Sequence, residues 1–190
     1  TAKVSRVDPE TKDAIVEIGK AQEPLFRSEQ IPNETLLPGM LIKVYIAGVA
    51  DAKEGRRGPR VTISRTHPGL VKRLFESEVP EIYDGTVEIK AVSREAGSRT
   101  KIAVYSADEN VDAVGACIGP RGARVGKIVD MLYGEKIDIV KYSEDPKEFI
   151  AASLAPADVV SVTIDENAEK SCRVIVPDLQ LSLAIGNKGQ

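Results

Sequence analysis

Two glycines separated by a proline and an arginine form the clearest candidate site in this sequence. They lie in residues 118–122, Ile-Gly-Pro-Arg-Gly, between a small apolar segment and a segment with aliphatic residues at helical spacing. Glycine lets the backbone approach a ligand closely, and the first turn of a helix offers unpaired N–H groups to an anion. Arg121 adds a positive charge. The pattern predicts a loop that binds a sugar-phosphate backbone, although one such motif leaves open a simple corner between two packed helices.

A second copy of the motif favours the binding interpretation. Residues 185–189 read Ile-Gly-Asn-Lys-Gly, again with an aliphatic residue before the first glycine and a cation before the second. Strand-like segments at 86–92 and 102–106 precede the first copy, and matching segments at 159–165 and 172–176 precede the second. Each copy thus follows the order helix, strand, strand, helix, Gly-x-x-Gly. This agreement across several levels predicts two units of the KH type, which clamp nucleic acid with such a loop.

The composition limits how this chain could bind RNA. Its 190 residues carry a formal net charge of −3, so binding must depend on local positive patches rather than on a positive field over the whole molecule. Only 4% of the residues are aromatic and none is tryptophan, which argues against a surface built on base stacking. A KH groove is compatible with this composition because it relies on backbone and aliphatic contacts.

Few residues are suited to catalysis or metal binding. His67 is the only histidine and precedes a proline, the usual setting of a structural or exposed residue. Cys117 and Cys172 lack the paired spacing and nearby histidine of a zinc site, and their apolar surroundings predict reduced, buried thiols in a cytoplasmic protein. No apolar run reaches membrane-spanning length. We therefore expect no enzymatic activity, no metal, no cofactor and no membrane partner.

The first third of the chain reads as strands without helices. Alternating apolar residues and turn signals predict five strands in residues 1–66, at 2–7, 14–19, 22–27, 40–49 and 60–65. This pattern favours an all-β five-stranded OB-fold barrel of the ribosomal S-one type. Candidate RNA contacts in the barrel lie at or near the cationic tip before the last strand, namely Lys53, Arg56, Arg57, Arg60 and Arg65. A solvated tip whose charges serve solubility is the alternative.

Two α+β units follow the barrel, so the fold is predicted to be multidomain. We expect the first KH domain at 67–143, beginning with a connecting helix that Pro80 ends, and the second at 144–190, truncated after its Gly-x-x-Gly loop. The junction between them is too short and too poor in Gly and Ser to let the units move freely. Asp145 is expected to cap the next helix, with Pro146 at its first position.

The predicted RNA-binding residues belong to the two loops and to the wall of the groove beside the first loop. Cations should contact phosphate, while aliphatic side chains and the third strand of the first KH domain should hold the bases. The groove should prefer single-stranded RNA to a duplex. The full set is Ile118, Gly119, Pro120, Arg121, Gly122, Ala123, Arg124, Val125, Lys127, Val140, Lys141, Ile185, Gly186, Asn187, Lys188 and Gly189.

The order of an OB-type barrel, a connecting helix and two KH units resembles the NusA family of bacterial transcription factors. Residues 64–70, 79–85, 134–140 and 179–186 are especially similar to that family. The resemblance implies type II KH domains in a cytoplasmic protein that binds nascent single-stranded RNA at RNA polymerase and modulates pausing, termination and antitermination. It also implies two kinds of protein partner, RNA polymerase, bound mainly through regions absent from this chain, and other antitermination factors.

Two other classes of protein combine some of the same modules. The main alternative is the RNA-tethering region of a ribonuclease or polynucleotide phosphorylase, although those enzymes usually place one KH unit before the barrel. A ribosomal or ribosome-assembly protein could also use a type II KH unit as a scaffold. Assays of RNA hydrolysis and phosphorolysis separate the first alternative from a transcription factor, and cosedimentation with ribosomes separates the second.

Overall fold

The structure, a computed structural model, describes residues 1–50 and 60–189 of the 190-residue chain. These residues form three consecutive units, which we call the N-terminal unit, the first KH unit and the second KH unit. The tip predicted to carry Lys53, Arg56 and Arg57 lies outside the described residues. Within the described part of the chain, no helix is long and apolar enough to cross a bilayer.

The N-terminal unit is built on a four-stranded antiparallel sheet. Its strands are β1 (Ala2–Val7), β2 (Ala14–Ile18), β3 (Ala21–Leu25) and β4 (Leu41–Ile42), in the order β3-β2-β1-β4. Alternate residues point to one face, so Val4, Val16 and Leu25 are fully buried in a shared core. In β2 this alternation is the pattern from which the strand was predicted.

The segment predicted as one strand at 40–49 is two strands that belong to different ladders. After β4, strand pairing is interrupted at Lys43. The chain then continues as β5 (Tyr45–Ala50), which pairs antiparallel with β6 (Arg60–Ser64). Arg65 fixes the break, because its Nη1 donates to the carbonyl oxygen of Lys43 at 2.5 Å. Ile42 and Ile63 still share one core. The described residues thus show two sheets around one core, and the closed five-stranded barrel stays a prediction.

The first KH unit has the predicted order of elements. They are α1 (Pro68–Glu78), α2 (Pro80–Tyr83), β7 (Val87–Glu95), β8 (Arg99–Ser106), α3 (Ala113–Ile118), α4 (Ala123–Met131) and β9 (Lys136–Lys141). The sheet order is β7-β8-β9, with β7 antiparallel and β9 parallel to the central strand. Pro80 ends α1 as predicted, but it also begins α2, because proline suits the first position of a helix.

One face of this sheet is covered by α1, α3 and α4. The buried residues include Leu70, Val71, Leu74 and Phe75 from α1, Ile102 and Val104 from β8, and Cys117, Ile128 and Leu132 from the helices that flank the loop. Phe75 is fully buried, so its truncation to alanine would cost about 3–5 kcal/mol of stability. This core positions the candidate loop, because α3 and α4 enter and leave it.

His67 joins the N-terminal unit to the first KH unit. Its Nδ1 accepts a hydrogen bond from the Gly69 backbone N–H at 2.9 Å, which caps α1. Its ring also stacks on Tyr45 of β5, with centroids 4.6 Å apart. These contacts give the only histidine of the chain a structural role.

Two buried ion pairs tie loops to the sheets. Glu135 accepts hydrogen bonds from Arg94, from the Gly97 backbone N–H and from the Thr100 hydroxyl, and neither charged side chain of this pair is exposed. Glu34 pairs with Arg65 in the same buried manner. In the described residues every buried side-chain nitrogen and oxygen has a hydrogen-bond partner. Removing one member of either pair would cost about 3–5 kcal/mol because the other charge would stay buried.

The second KH unit repeats the first half of the motif. It comprises α5 (Pro146–Ser153), β10 (Ser161–Ile164), β11 (Cys172–Ile175), a single 3-10 turn (Asp178–Gln180) and α6 (Leu181–Ile185), and β10 pairs antiparallel with β11. Asp145 caps α5 as predicted, since its Oδ1 accepts from the Lys147 backbone N–H at 2.9 Å. Helix α5 packs on the second face of the first unit's sheet, where Ala103 and Val140 are buried.

Candidate nucleic-acid interface

The first loop leaves the helical path at three of its four positions. Helix α3 ends at Gly119, with φ 73° and ψ 174°, and the Gly119 N–H donates to the Gly115 carbonyl at 2.9 Å. A single 3-10 turn follows, in which Arg121 (φ 53°) and Gly122 (φ 76°) are both left-handed. Such angles are costly for most residues and easy for glycine. The Gly-x-x-Gly spacing is thus required by the turn itself.

The two glycines of this loop meet different surroundings. A Cβ atom at Gly119 would lie 2.6 Å from Cγ of Arg124, so no larger residue fits behind the loop. A Cβ atom at Gly122 would meet nothing within 4 Å, so the outer side of the loop is open. Gly119 therefore permits tight packing inward, and Gly122 keeps the N-terminus of α4 accessible from outside.

A shallow groove of about 320 Å³ runs beside the loop. Its lining is mostly aliphatic and consists of Ile118, Val125, Ile137, Asp138, Ile139, Val140, Ala155 and Pro156. The structure thus brings together the three predicted wall residues Ile118, Val125 and Val140. Ile118 is 38% exposed, whereas Val140 is 6% exposed and contributes to the floor. Lys141, the last residue of β9, is the next residue along the chain and is exposed.

The groove ends against the second KH unit, and this junction is firmly packed. Lys101 of β8 donates from Nζ to the carbonyl oxygens of Ser153, the last residue of α5, at 2.6 Å and of Ala155 at 2.8 Å. Partial burial lowers the pKa of the Lys101 ammonium. The Tyr142 ring lies edge-on to Phe149 of α5, with centroids 5.1 Å apart. Side-chain contacts rather than linker length alone therefore fix the two units relative to each other.

The two glycines of the second loop have nearly the same backbone angle φ as those of the first. Helix α6 ends at Gly186, with φ 74° and ψ −175°, and its N–H donates to the Ser182 carbonyl at 3.1 Å. The 3-10 turn Asn187–Gly189 follows, and Gly189 has φ 75° with open space around it. The predicted residues Ile185 and Asn187 are exposed here. Both predicted loops are therefore present, with the same handedness at both glycines.

The cations near the first loop fall into two groups. Arg121 and Lys141 are exposed, and neither forms an ion pair with another described residue. Lys127 pairs with Glu78 at 2.7 Å and Arg124 pairs with Glu81 at 2.9 Å. The acids of the connecting helices thus offset two of the four positive charges that the sequence places at this site.

Comparison with known proteins agrees with this geometry. Residues 65–142 match the model of the NusA-like first KH domain, and residues 146–190 match that of the NusA-like second KH domain. Together the two matches cover more than half of the chain. The chain belongs to the NusA family.

Three curated NusA relatives illustrate the extent of the similarity, and each is a transcription termination/antitermination protein. The Halalkalibacterium halodurans protein is 57% identical over 175 residues, covering 92% of this chain and 45% of its own. The Bacillus subtilis protein is 55% identical over 190 residues, and the match covers 100% of this chain and 50% of that protein. The Thermus thermophilus protein is 47% identical over 190 residues, covering 100% and 48%. The chain spans about half the length of these relatives.

One predicted contact of this NusA segment is wrong. Arg65 was expected among the RNA-binding cations of the barrel, but it is 3% exposed. Its guanidinium donates to both carboxylate oxygens of Glu34 and to the carbonyl oxygens of Lys43 and Met131. Because its donors are already engaged inside the protein, Arg65 has a structural role between the N-terminal unit and α4. Arg60 is the first residue of β6.

Several residues that contact the predicted cations or join the two KH units were not predicted. Glu78 and Glu81, which hold Lys127 and Arg124, come from the connecting helices about 45 residues earlier in the sequence. Lys101 and Phe149 at the junction were also missed. Acids lie two or three residues apart in 76–81, and cations lie three apart in 121–127. Only this matched spacing of opposite charges could have suggested the first two contacts. The junction contacts have no local signal, because they depend on how one unit packs on the next.

Proposed function

We propose that this chain is the RNA-binding portion of a bacterial transcription elongation factor. In this proposal it binds nascent single-stranded RNA beside RNA polymerase in the cytoplasm and thereby modulates pausing, termination and antitermination. The names of the curated relatives support the process, and the two KH matches support the ligand. Its activity in our proposal is binding rather than catalysis. RNA polymerase and other antitermination factors are the proposed protein partners, contacted mainly through regions outside this chain.

The observation that carries the proposal is an open left-handed loop beside an aliphatic groove. A phosphate can approach Gly122 without meeting a side chain, and there the first N–H groups of α4 and the charge of Arg121 favour an anion. The loop thus offers the phosphate contacts that position a strand.

The groove beside the loop supplies the contacts for bases. Its lining by Ile118 and Val125 suits the faces of unpaired bases. Strand β9 lies at the edge of the sheet, so its outer backbone groups have no strand partner among the described residues and can bond to base edges. Recognition of this kind uses unpaired bases that can be splayed out, which supports a preference for single strands.

The packed junction supports one continuous path from the first loop to the second. A KH loop clamps about four nucleotides, so a pair of units would need about eight or more for full affinity. The groove of the first unit already extends to Ala155 and Pro156 of the second.

We extend the proposal to the N-terminal unit as an OB-type fold whose cationic tip, with Lys53, Arg56, Arg57 and Arg60, adds contacts to phosphate.

Equilibrium binding with matched RNAs tests the proposal. We expect a labelled single strand of twelve nucleotides to bind more tightly than the same strand in a perfect duplex. Ultraviolet crosslinks should map to residues 118–125 and 136–141. Equal affinity for the duplex, or crosslinks confined to other surfaces, would contradict the assignment of the groove.

A further inference from the structure

Arg124 lies behind the first loop rather than in front of it. Its Nη1 donates to the Ala116 carbonyl at 2.6 Å and to Oε2 of Glu81 at 2.9 Å. Its aliphatic stem occupies the space next to Gly119, where a Cβ atom would lie 2.6 Å from Cγ of Arg124. We call Arg124, Glu81, Ala116 and Gly119 the Arg124 network. It connects α2, α3, the loop and α4.

Each contact of the Arg124 network stabilises a group that the loop would otherwise leave unsupported. Ala116 lies in the last turn of α3, whose final carbonyl oxygens have no partner within the helix. A guanidinium at this end of a helix satisfies such an oxygen and complements the helix dipole. Glu81 in turn accepts a hydrogen bond from the same Nη1 and anchors the guanidinium. The left-handed turn at Gly119 is therefore held between a helix end and an anchored side chain.

We propose that Arg124 is a positioning residue that holds the first Gly-x-x-Gly loop in its phosphate-binding shape. This inference rests on the proposed RNA-binding function and replaces the initial expectation that Arg124 itself contacts phosphate. The exposed cation Arg121, at the outer side of the turn, takes the role of phosphate contact. Glu81 is a second positioning residue, because it anchors Arg124.

Substitution of two acidic residues, Glu81 and Glu78, tests whether Arg124 positions the loop or contacts phosphate itself. Glu81→Ala removes the anchor of Arg124, and Glu78→Ala removes the partner of Lys127, whose Nζ has Glu78 as its only side-chain or backbone acceptor among the described residues. Both variants lose one negative charge near the site. If Arg124 positions the loop, Glu81→Ala weakens RNA binding about fivefold, the effect of losing one typical net hydrogen bond. Glu78→Ala leaves binding unchanged or slightly tighter.

The opposite result would identify Arg124 as a phosphate contact that Glu81 restrains. In that case Glu81→Ala would tighten RNA binding and steepen the dependence of affinity on salt, because a freed cation would displace one more counterion. Tighter or unchanged binding by Glu81→Ala therefore overturns the proposal. Weaker binding with an unchanged salt slope supports it. Thermal unfolding of both variants confirms that the fold is retained.

Two substitutions of Arg124 provide a second test. Arg124→Met keeps an unbranched stem beside Gly119 but has no donor. Arg124→Lys keeps the charge, but its side chain is one bond too short to place the ammonium where Nη1 contacts Ala116 and Glu81. We expect both to weaken binding with an unchanged salt slope. Recovery of full affinity by the lysine variant, or a fall in slope of about 0.7 for the methionine variant, would overturn the positioning role.

Amide hydrogen exchange gives a readout that does not involve RNA. The Gly119 N–H bonds to the Gly115 carbonyl, so its protection reports the end of α3 directly. We expect faster exchange at Gly119 in Arg124→Met and Glu81→Ala, and unchanged exchange in Glu78→Ala. Unchanged exchange in all three variants overturns the positioning role. If the unmodified chain failed to bind RNA, the proposed function would fail, and the exchange data would still decide what Arg124 does.

Discussion

The two Gly-x-x-Gly loops have glycines with nearly the same φ but very different surroundings. The first glycines have φ 73° and 74°, and the last glycines 76° and 75°. Behind the first loop, Cys117 and Ile128 are fully buried. In the second KH unit, Leu183 and Ile185 are about half exposed. The glycine spacing therefore determines the shape of the turn, and the packing behind it determines how firmly that shape is held.

This difference affects binding because a loop that is already ordered loses less entropy when RNA binds. Among the described residues, which end at Gly189, the first loop is held by a buried core and by the Arg124 network, whereas the second is held by its own turn. We therefore expect the first loop to contribute more of the RNA affinity of this chain. Four predictions test this unequal division.

The largest effect is expected from Gly122→Asp. The new carboxylate would lie at the open side of the loop, where it repels phosphate, and we expect RNA affinity to fall about tenfold or more. The left-handed position costs only about 1 kcal/mol, because aspartate tolerates it better than most residues. Fluorescence anisotropy with a twelve-nucleotide single strand measures the loss.

Gly134→Asp is the matched control for this substitution. Gly134 also has a positive φ, 85°, and open space around it, but it lies at the other end of α4. This variant carries the same strain and charge without facing the loop, so its affinity should stay close to that of the unmodified chain. Equal losses in the two variants would mean that strain or net charge, and not contact with the loop, explains the effect.

A smaller loss is expected from Gly189→Asp in the second loop. The substitution is chemically the same as in the first loop, and the site is equally open. Because the second loop has less support, its contacts are worth less, and we expect a loss of about two- to threefold. A loss as large as that of Gly122→Asp would show that packing behind the loop does not control its contribution.

Phe149→Ala tests whether the junction makes one path of the two loops. Loss of the Tyr142–Phe149 contact should loosen the second unit, so the effective concentration of its loop would fall. We expect about threefold weaker binding of a twelve-nucleotide strand and unchanged binding of a four-nucleotide strand. Tyr83→Ala, which removes an aromatic side chain that is 84% exposed, is the control. Equal effects on both RNA lengths would contradict a continuous path.

The reactivity of the two cysteines reports the packing of the two units without a measurement of RNA binding. Burial raises the pKa of the Cys117 thiol, just before the first loop, to about 12, so almost no reactive thiolate forms at about pH 8. Cys172 in the second unit is exposed. We expect iodoacetamide to modify Cys172 alone in the folded chain and both cysteines in denaturant, as measured by intact mass. Rapid modification of Cys117 would show that the first loop lacks a firm support.

The order of elements in the first KH unit could be predicted because each element has a local signal. Helix α1 shows apolar residues at helical spacing, Asp145 and Pro146 show a cap, and the glycine pairs show the two turns. These features depend on residues close together in the sequence. Local chemistry was therefore sufficient for the framework of the site.

Other features depend on residues far apart and were missed or mispredicted. Arg65 was interpreted as a surface cation because its partner, Glu34, lies 31 residues away and nothing local indicates their burial. The break at Lys43 depends on that same arginine. The role of Arg124 depends on Glu81, 43 residues earlier. A charge in a sequence has no fixed environment, so pairing across the fold decides whether it faces a ligand or supports a loop.

The sheet of the first KH unit has protein on both faces, and this affects how the chain would be divided into folding units. Helices α1, α3 and α4 cover one face, and α5, which belongs to the second unit, packs against β9 on the other, where Val140 is buried. A protease cut or a truncation near residue 143 would leave that second face in water. The end of the first sequence repeat is therefore not the end of a cooperative unfolding unit. The first KH unit and α5 should unfold together as a single foldon.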